Sequence, residues 1–323
     1  IVMKKQNILI TGGAGFIGSH IADALLALPD IGFVRVLDNL ATGKMQNINH
    51  NLSNENFQFQ QGDIRNFEDC TKAMEDIAIV CHQAALGSVP RSIEDPLTTN
   101  DVNISGTLNI FTAAKNAGIS RVVYAASSST YGDSPNLPKV ENNIGLPLSP
   151  YAVTKYVNEL YAKVFGDLYG LEFIGLRYFN VFGPRQDPNG QYAAVIPLFN
   201  KAILDSDAPF INGDGEQSRD FTFIENVVQI NLLALFTENE EALNQVYNVA
   251  LGDSITINEI GNELKLIGNS ELNVNYRSSR QGDVRASLAD ISKAKTLLNY
   301  NPKIKVKEGL KKSFDWYKNS ISK

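Results

Sequence analysis

The stretch from Asn7 to Asp38 constrains the fold more than any other. Asn7-Ile8-Leu9-Ile10-Thr11 is a short apolar strand that runs into Gly12-Gly13-Ala14-Gly15-Phe16-Ile17-Gly18. A helical stretch, Ser19 to Leu28, follows, and Phe33-Val34-Arg35-Val36-Leu37-Asp38 reads as the next strand. Glycines at 12, 15 and 18 let the backbone turn tightly, approach a pyrophosphate, and pack helix on strand. The helix N-terminus then faces the phosphates with its partial positive charge, and Phe16 and Ile17 of the turn join Gly12 and Gly15 as expected cofactor contacts. Asp38 ends the second strand 20 residues after Gly18. An acid there bonds both hydroxyls of an adenine ribose and repels a 2′-phosphate, so NAD is expected rather than NADP.

Strands and helices keep alternating. Asn56 to Gln60 reads as a strand leading to Gly62-Asp63-Ile64. Asp63 is either a contact to the adenine or the N-cap of a helix over 66–74. Ile77 to His82 is a fourth strand, ending in Gln83-Ala84-Ala85-Leu86-Gly87-Ser88, whose small residues allow close backbone approach to a cofactor. His82 reads as a packed strand-end residue rather than a catalyst. Asn100 to Ala117 is a long helix, and Leu171 to Leu176 a sixth strand. This alternation means a doubly wound parallel α/β sheet. After Gly183, Gly and Pro are frequent and strands short, which suits a smaller substrate-binding part. Ile224–Phe236 and Gln245–Val249 look like a helix and a strand that return to the sheet. The expected division is therefore 1–180 plus 224–250 for the dinucleotide domain, and 181–223 plus 251–323 for the smaller C-terminal domain.

The chemistry is expected at the end of the strand Arg121-Val122-Val123-Tyr124-Ala125-Ala126. There Ser127, Ser128 and Ser129 reach the carboxyl edge of the sheet, where open α/β sheets bind ligands. Ser149-Pro150 starts a helix, which puts Tyr151 and Lys155 on one face of its first turns. An ammonium beside a phenol can make a base. Bringing the phenol from about 10 to near 7 needs roughly 4 kcal/mol. One positive charge at about 4 Å supplies about that at an effective dielectric near 20, and a cationic nicotinamide adds to it. A Tyr-x-x-x-Lys pair alone is weak evidence, and a serine triplet alone is commonly a polar turn; the rest of the chain changes the weight of both.

Composition sets the boundaries. A net charge of −6 argues against nucleic acid as the main partner. Cys70 and Cys81 show no metal or redox spacing, and no metal site is expected. No apolar run is long enough to span a bilayer and no secretory h-region is seen, so the expected setting is a reducing cytoplasm, away from membranes.

Taken together, Thr11-Gly12-x-x-Gly15-x-x-Gly18, the serine stretch, Tyr151-x-x-x-Lys155 and Arg177-Tyr178-Phe179-Asn180 resemble the extended short-chain dehydrogenase/reductases, and within them the nucleotide-sugar 4-epimerases. Residues 82–92, 178–188 and 213–221 are most similar to bacterial UDP-N-acetylglucosamine 4-epimerases. The resemblance covers essentially the whole chain. It implies that Tyr151 takes the proton of the sugar 4-hydroxyl while the C4 hydride moves to NAD. Lys155 then tunes Tyr151 and bonds the nicotinamide ribose, and Ser127 holds O4. The 4-keto sugar turns over in the pocket and hydride returns to its other face. Dehydratases of the same family carry an Asp-Glu pair where this chain has Ser128 and Ser129, so elimination lacks its acid and base. Ala126 stands where many relatives have Ser.

Further site residues follow from the same resemblance. Asn39, Thr42, Gly43, Ile64, Asn103, Ala125, Tyr178 and Val181 join the cofactor set. Arg219 and Arg280 match two anion-binding arginines for the diphosphate, a role suited to a permanently charged fork. Without that match, either would read as a surface salt bridge. Asp283 orients the uridine ribose, and Asn180 the diphosphate–sugar region. Ala194, Val195, Phe210 and Asn212 line the uracil pocket. Ser88, Ser128 and Ser129 lie near the sugar, and Ser287 falls at a gate beside the C2 substituent, where a small residue leaves room for an N-acetyl group. A homodimer through the helices near 100–117 and 151–168 is implied.

Overall fold

The computed structural model describes residues 5–190, 193–279 and 284–321. In chain order the first half runs β1 (Gln6–Thr11), α1 (Phe16–Leu26), β2 (Ile31–Asp38), β3 (Phe57–Gln61), α2 (Phe67–Ala73) and β4 (Ile79–His82). Next come α3 (Val89–Glu94), α4 (Pro96–Asn100), α5 (Thr107–Asn116), β5 (Arg121–Ser127), α6 (Pro150–Tyr169) and β6 (Glu172–Tyr178). The remainder is β7 (Val181–Phe182), α7 (Val195–Leu204), β8 (Phe210–Asn212), β9 (Ser218–Arg219), β10 (Thr222–Phe223), α8 (Ile224–Phe236) and β11 (Gln245–Val249). After these lie β12 (Ile255–Thr256), α9 (Ile257–Ile267), β13 (Asn275–Arg277), α10 (Ser292–Leu298) and α11 (Val306–Ile321).

Seven strands form one parallel sheet in the order β11-β6-β5-β4-β1-β2-β3. This is the expected doubly wound α/β architecture. Side chains alternate between its faces: Ile8 and Ile10 enter one core with Ile21 and Val227, while Leu9 enters the other with Phe111 and Phe165. Apolar residues on both faces explain why the strands read as continuous hydrophobic runs. The strand order reverses between β1 and β4, and a crevice opens there at the carboxyl ends. At that point a Cβ on Gly12 would sit 2.7 Å from the Ala84 backbone, and φ of Gly12 is +70°. Only glycine fits. Helix α8 and strand β11 return to the sheet over the expected residues, with β11 parallel to β6. Beyond the sheet, two-stranded pairs β10-β7, β12-β9 and β13-β8 and helices α7, α9 and α11 make a smaller C-terminal region.

Two local readings change. The expected helix over 100–117 is three pieces: α4, a π-turn at Asp101–Gly106, and α5. The wider turn directs Asn103 inward, where its amide bonds both backbone groups of Leu86 at 2.8 and 3.1 Å. Asp63 does not cap α2; Asn66 does, accepting the Glu68 N–H at 2.9 Å.

Candidate active site

The crevice at the β1/β4 switch is a cavity of about 600 Å³. Gly12, Gly15, Phe16 and Ile17 form its glycine-turn wall. Helix α1 begins after Gly15 with no side-chain cap and no acid in its first turn. Its first N–H groups and dipole are therefore unopposed, which suits a phosphate anion. Beyond β2 the wall is Asp38, Asn39, Thr42, Gly43, Asp63 and Ile64. Asp38 is buried and fixed from both sides: Ala14 N–H donates to one oxygen at 2.9 Å and Leu40 N–H to the other at 2.8 Å. Burial raises its carboxyl above the usual range, against those two bonds. Each oxygen keeps a second lone pair, so the fixed carboxylate can still accept a ribose hydroxyl. Asp63 is instead spent on Arg65, with Asn39 also donating to it at 2.9 Å, and its carboxyl is held well below the usual range.

Gln83, Ala84, Ala85, Ala125, Tyr178 and Val181 line the other end of the cavity, with Ser88 at its edge. Tyr178 donates to Gln83 Oε1 at 3.1 Å, and Gln83 donates to Asn231 of α8 at 3.2 Å, so the returning helix fixes both side chains. Ser88 also caps α3 by accepting from Arg91 N–H. Asn103 does not line the cavity. Its amide is used up on Leu86 and, at 3.2 Å, on Thr154, so it shapes the wall from behind.

Ser127, Tyr151 and Lys155 meet in the same cavity. Helix α6 puts them there: Ser149 Oγ accepts from Ala152 N–H at 3.1 Å, and Pro150 takes the first position. Ser127 Oγ accepts from the Ser129 hydroxyl at 2.9 Å and from its N–H at 3.2 Å. With its lone pairs taken, its own proton is free to be donated into the cavity. Lys155 is 4% exposed and donates to the Ala125 carbonyl at 2.8 Å. Burial lowers its ammonium to about 8, with Glu159 opposing. The ammonium lies 6.0 Å from the Tyr151 ring centroid. Burial raises the Tyr151 phenol above its ordinary value, with Ser127 pulling it back. His82 stays out of the site, buried between Thr11 at 2.6 Å and Thr107 at 2.9 Å.

Two more cavities adjoin the first. One of about 190 Å³ is lined by Ala194, Val195, Phe210, Asn212 and Arg219. The other, about 510 Å³, is lined by Ser128, Ser129, Arg219 and Ser287. Asn180 borders all three cavities, its φ of +35° held by a 3.0 Å bond to the Asp220 carbonyl. Arg280 and Asp283 lie outside the described residues. Sequence reading missed Gln186, which lies between the first two cavities, and Lys139, which borders the third. Gln186 had a signal, since it sits in the 178–188 segment. Lys139 had none, because its segment is brought to the site by pairing with residues near 288 and by a bond from Asn248 of β11.

A doubly wound sheet with this glycine turn, this acid and a Ser/Tyr/Lys set at its carboxyl edge defines a dinucleotide-dependent enzyme of the extended short-chain dehydrogenase/reductase class. The family model of the NAD dependent epimerase/dehydratase family matches residues 8–250, and the chain belongs to that family. Its cofactor is NAD, and the capless α1 terminus, Asp38 and the Gly12–Ala84 approach fit it. Among solved structures, the UDP-N-acetylglucosamine 4-epimerase of Methanobrevibacter ruminantium M1, in complex with UDP-N-acetylmuramic acid, is 44% identical with a TM-score of 0.92, over 98% of this chain and 100% of that one. The UDP-glucuronic acid 4-epimerase of Bacillus cereus, in complex with UDP-glucuronic acid and NAD, is 34% identical with a TM-score of 0.91, over 98% and 100%. A Methanocaldococcus jannaschii protein provisionally named UDP-glucose 4-epimerase is 40% identical over 97% of this chain and 99% of its own length. Among the described residues, no helix is long and apolar enough to cross a membrane.

Proposed function

We propose that this enzyme inverts C4 of a UDP-hexose, and that its substrate pair is UDP-N-acetylglucosamine and UDP-N-acetylgalactosamine. The observation that carries the reading is the meeting of the three cavities at Asn180, one with the Ser/Tyr/Lys set and two sharing Arg219. A diphosphate at Arg219 and Asn180 directs a base into the smaller cavity and a sugar toward Tyr151. Residues 181–223 and 251–323 thus serve as the substrate-binding part. Arg280 and Asp283 are assigned to the diphosphate and uridine ribose from the resemblance.

Bound NAD would supply the acceptor for the C4 hydrogen as hydride and the donor for its return. Tyr151 takes the proton of the 4-hydroxyl and later gives one back. Ser127, already an acceptor from Ser129, donates to O4 and holds it at Tyr151. Lys155, fixed on Ala125, keeps a positive charge 6.0 Å from the Tyr151 ring centroid. Ser128 and Ser129 offer neither carboxylic acid nor carboxylate, so the ketone is not diverted into elimination. The 510 Å³ cavity leaves room for the sugar to turn over. Ser287, a small residue on its wall, leaves room for an N-acetyl group.

We also propose a cytoplasmic homodimer. Helix α6 exposes Val153, Leu160, Val164 and Leu168 along one stripe, with Leu97 of α4 82% exposed. The test of the main reading is incubation with UDP-N-acetylglucosamine, UDP-glucose and UDP-glucuronic acid, without added cofactor, followed by NMR of the sugar. C4 inversion of the N-acetyl sugar with the highest kcat/KM supports it. Preference for either other sugar refutes the substrate assignment, and loss of water or release of NADH refutes the reaction.

A further inference from the structure

Asp220 touches none of the three cavities, yet it joins the parts of the chain that line two of them. It is 0% exposed and adjacent to Arg219. One of its oxygens accepts the Leu251 N–H at 2.9 Å; the other accepts Gly252 N–H at 3.1 Å and Ala289 N–H at 3.2 Å. Its own carbonyl accepts the Asn180 side-chain amide at 3.0 Å. These partners come from three separate places in the chain. Leu251 and Gly252 leave β11 of the central sheet, and Gly252, with φ +75°, turns there. Ala289 ends the segment that carries Ser287, which is itself paired to β9 by Ser287 N–H to the Ser218 carbonyl at 3.1 Å. Asn180 follows β6.

Burying a carboxylate is costly unless hydrogen bonds replace its water. Here burial pushes the carboxyl up to about 7 in spite of the three donors. The side chain is nevertheless the one type suited to the position. An ionised carboxylate only accepts, and has lone pairs for three N–H groups at once. An amide would turn an NH2 toward at least one of them, and an apolar side chain would leave all three unpaired.

We propose that Asp220 is a positioning residue for substrate: its carboxylate fixes the Arg219 and Ser287 segments in register with the central sheet, so that substrate binding depends on it and cofactor binding does not. This rests on the UDP-sugar reading above. The experiment compares wild type with Asp220→Asn and Asp220→Ala, the second removing the charge and both acceptor oxygens without adding a donor. Four quantities are measured: KM and kcat for the UDP-sugar the wild type turns over, UDP affinity by calorimetry, and NAD retained per chain after purification. The expected result is a KM and a UDP dissociation constant raised tenfold or more, kcat within about threefold, and NAD content unchanged. Lower kcat at unchanged KM, equal loss of NAD, or no change overturns the proposal. Insolubility of both variants also overturns it, since Asp220 would then serve folding as a whole. Failure of the wild type to turn over any UDP-sugar, or to bind UDP, would instead refute the underlying reading.

Discussion

The cofactor side and the substrate side of this molecule are built by different means. The 600 Å³ cavity is made by strand ends and the turns that follow them, each supplied by a contiguous piece of chain. Its key contacts are backbone features: the glycine turn, the open start of α1, and the close approach of Gly12 to Ala84. The two cavities proposed for substrate are walled by short strands, helix ends and irregular segments that are far apart in sequence. They are held by single side chains such as Asp220 and Asn180. The difference teaches that a site built largely from backbone rests on few side chains, such as Asp38, whereas a side-chain-built site rests on many.

The largest effect is expected where the two sides meet. Tyr151→Phe should lower kcat by roughly 10²–10⁴-fold, the usual value of a general base. NAD content and UDP affinity should stay as in wild type; a variant within about threefold of wild-type kcat would remove Tyr151 from the role of base. On the substrate side alone, Ser287→Tyr should reduce kcat/KM for UDP-N-acetylglucosamine by roughly tenfold to over a hundredfold, from overpacking of about 1–3 kcal/mol or more. UDP-glucose turnover should be kept or raised. If both sugars lose equally, Ser287 is not a gate and the cavity is read wrongly.

On the cofactor side, Asp38→Ala should weaken NAD by about tenfold to a hundredfold, the effect of removing a charged hydrogen-bond acceptor worth about 1.5–3 kcal/mol. Calorimetry on stripped protein measures it, with UDP affinity as the control that keeps the two sides separate. The smallest effect is in pH. In the proposed mechanism activity needs the Lys155 ammonium, and burial brings that group down to about 8. Its charge is complete well below pH 8 and is lost as pH rises through it, so kcat should decline on the alkaline side. Lys155→Arg, which stays charged, should lack this decline, though at lower activity. A flat wild-type profile through and beyond pH 8 would contradict the assignment.

Local signals made the cofactor side legible. The strand–glycine–helix–strand unit, Asp38, and the Ser149-Pro150 helix start each work within a few residues, where steric and capping rules act directly. The start of α1 at Phe16, three residues before the expected Ser19, belongs to the same local logic, since Gly15 already supplies the extended N-cap. The π-turn at Asp101–Gly106 was not legible, because it serves a bond from Asn103 to Leu86 that sequence patterning does not register. Likewise Asp63 could have been a cap or a contact, and Arg65 and Asn39 decide its bonding only in three dimensions.

By itself the sequence determined the parallel sheet, the glycine turn at its switch point, and that Ser127 and the first turns of α6 come to one strand end. Those follow from hydrophobic runs, glycine sterics and helix periodicity, which are properties of short stretches. The tertiary structure alone decided how far Lys155 stands from Tyr151, that Asn180 joins three cavities, and that Asp220 ties three segments together. Such bonds cross between residues such as Asp220 and Ala289, or Lys155 and Ala125, and no local rule fixes which donor a buried acceptor will meet. Packing settles it, because a buried polar group must find its partner wherever the fold has placed one.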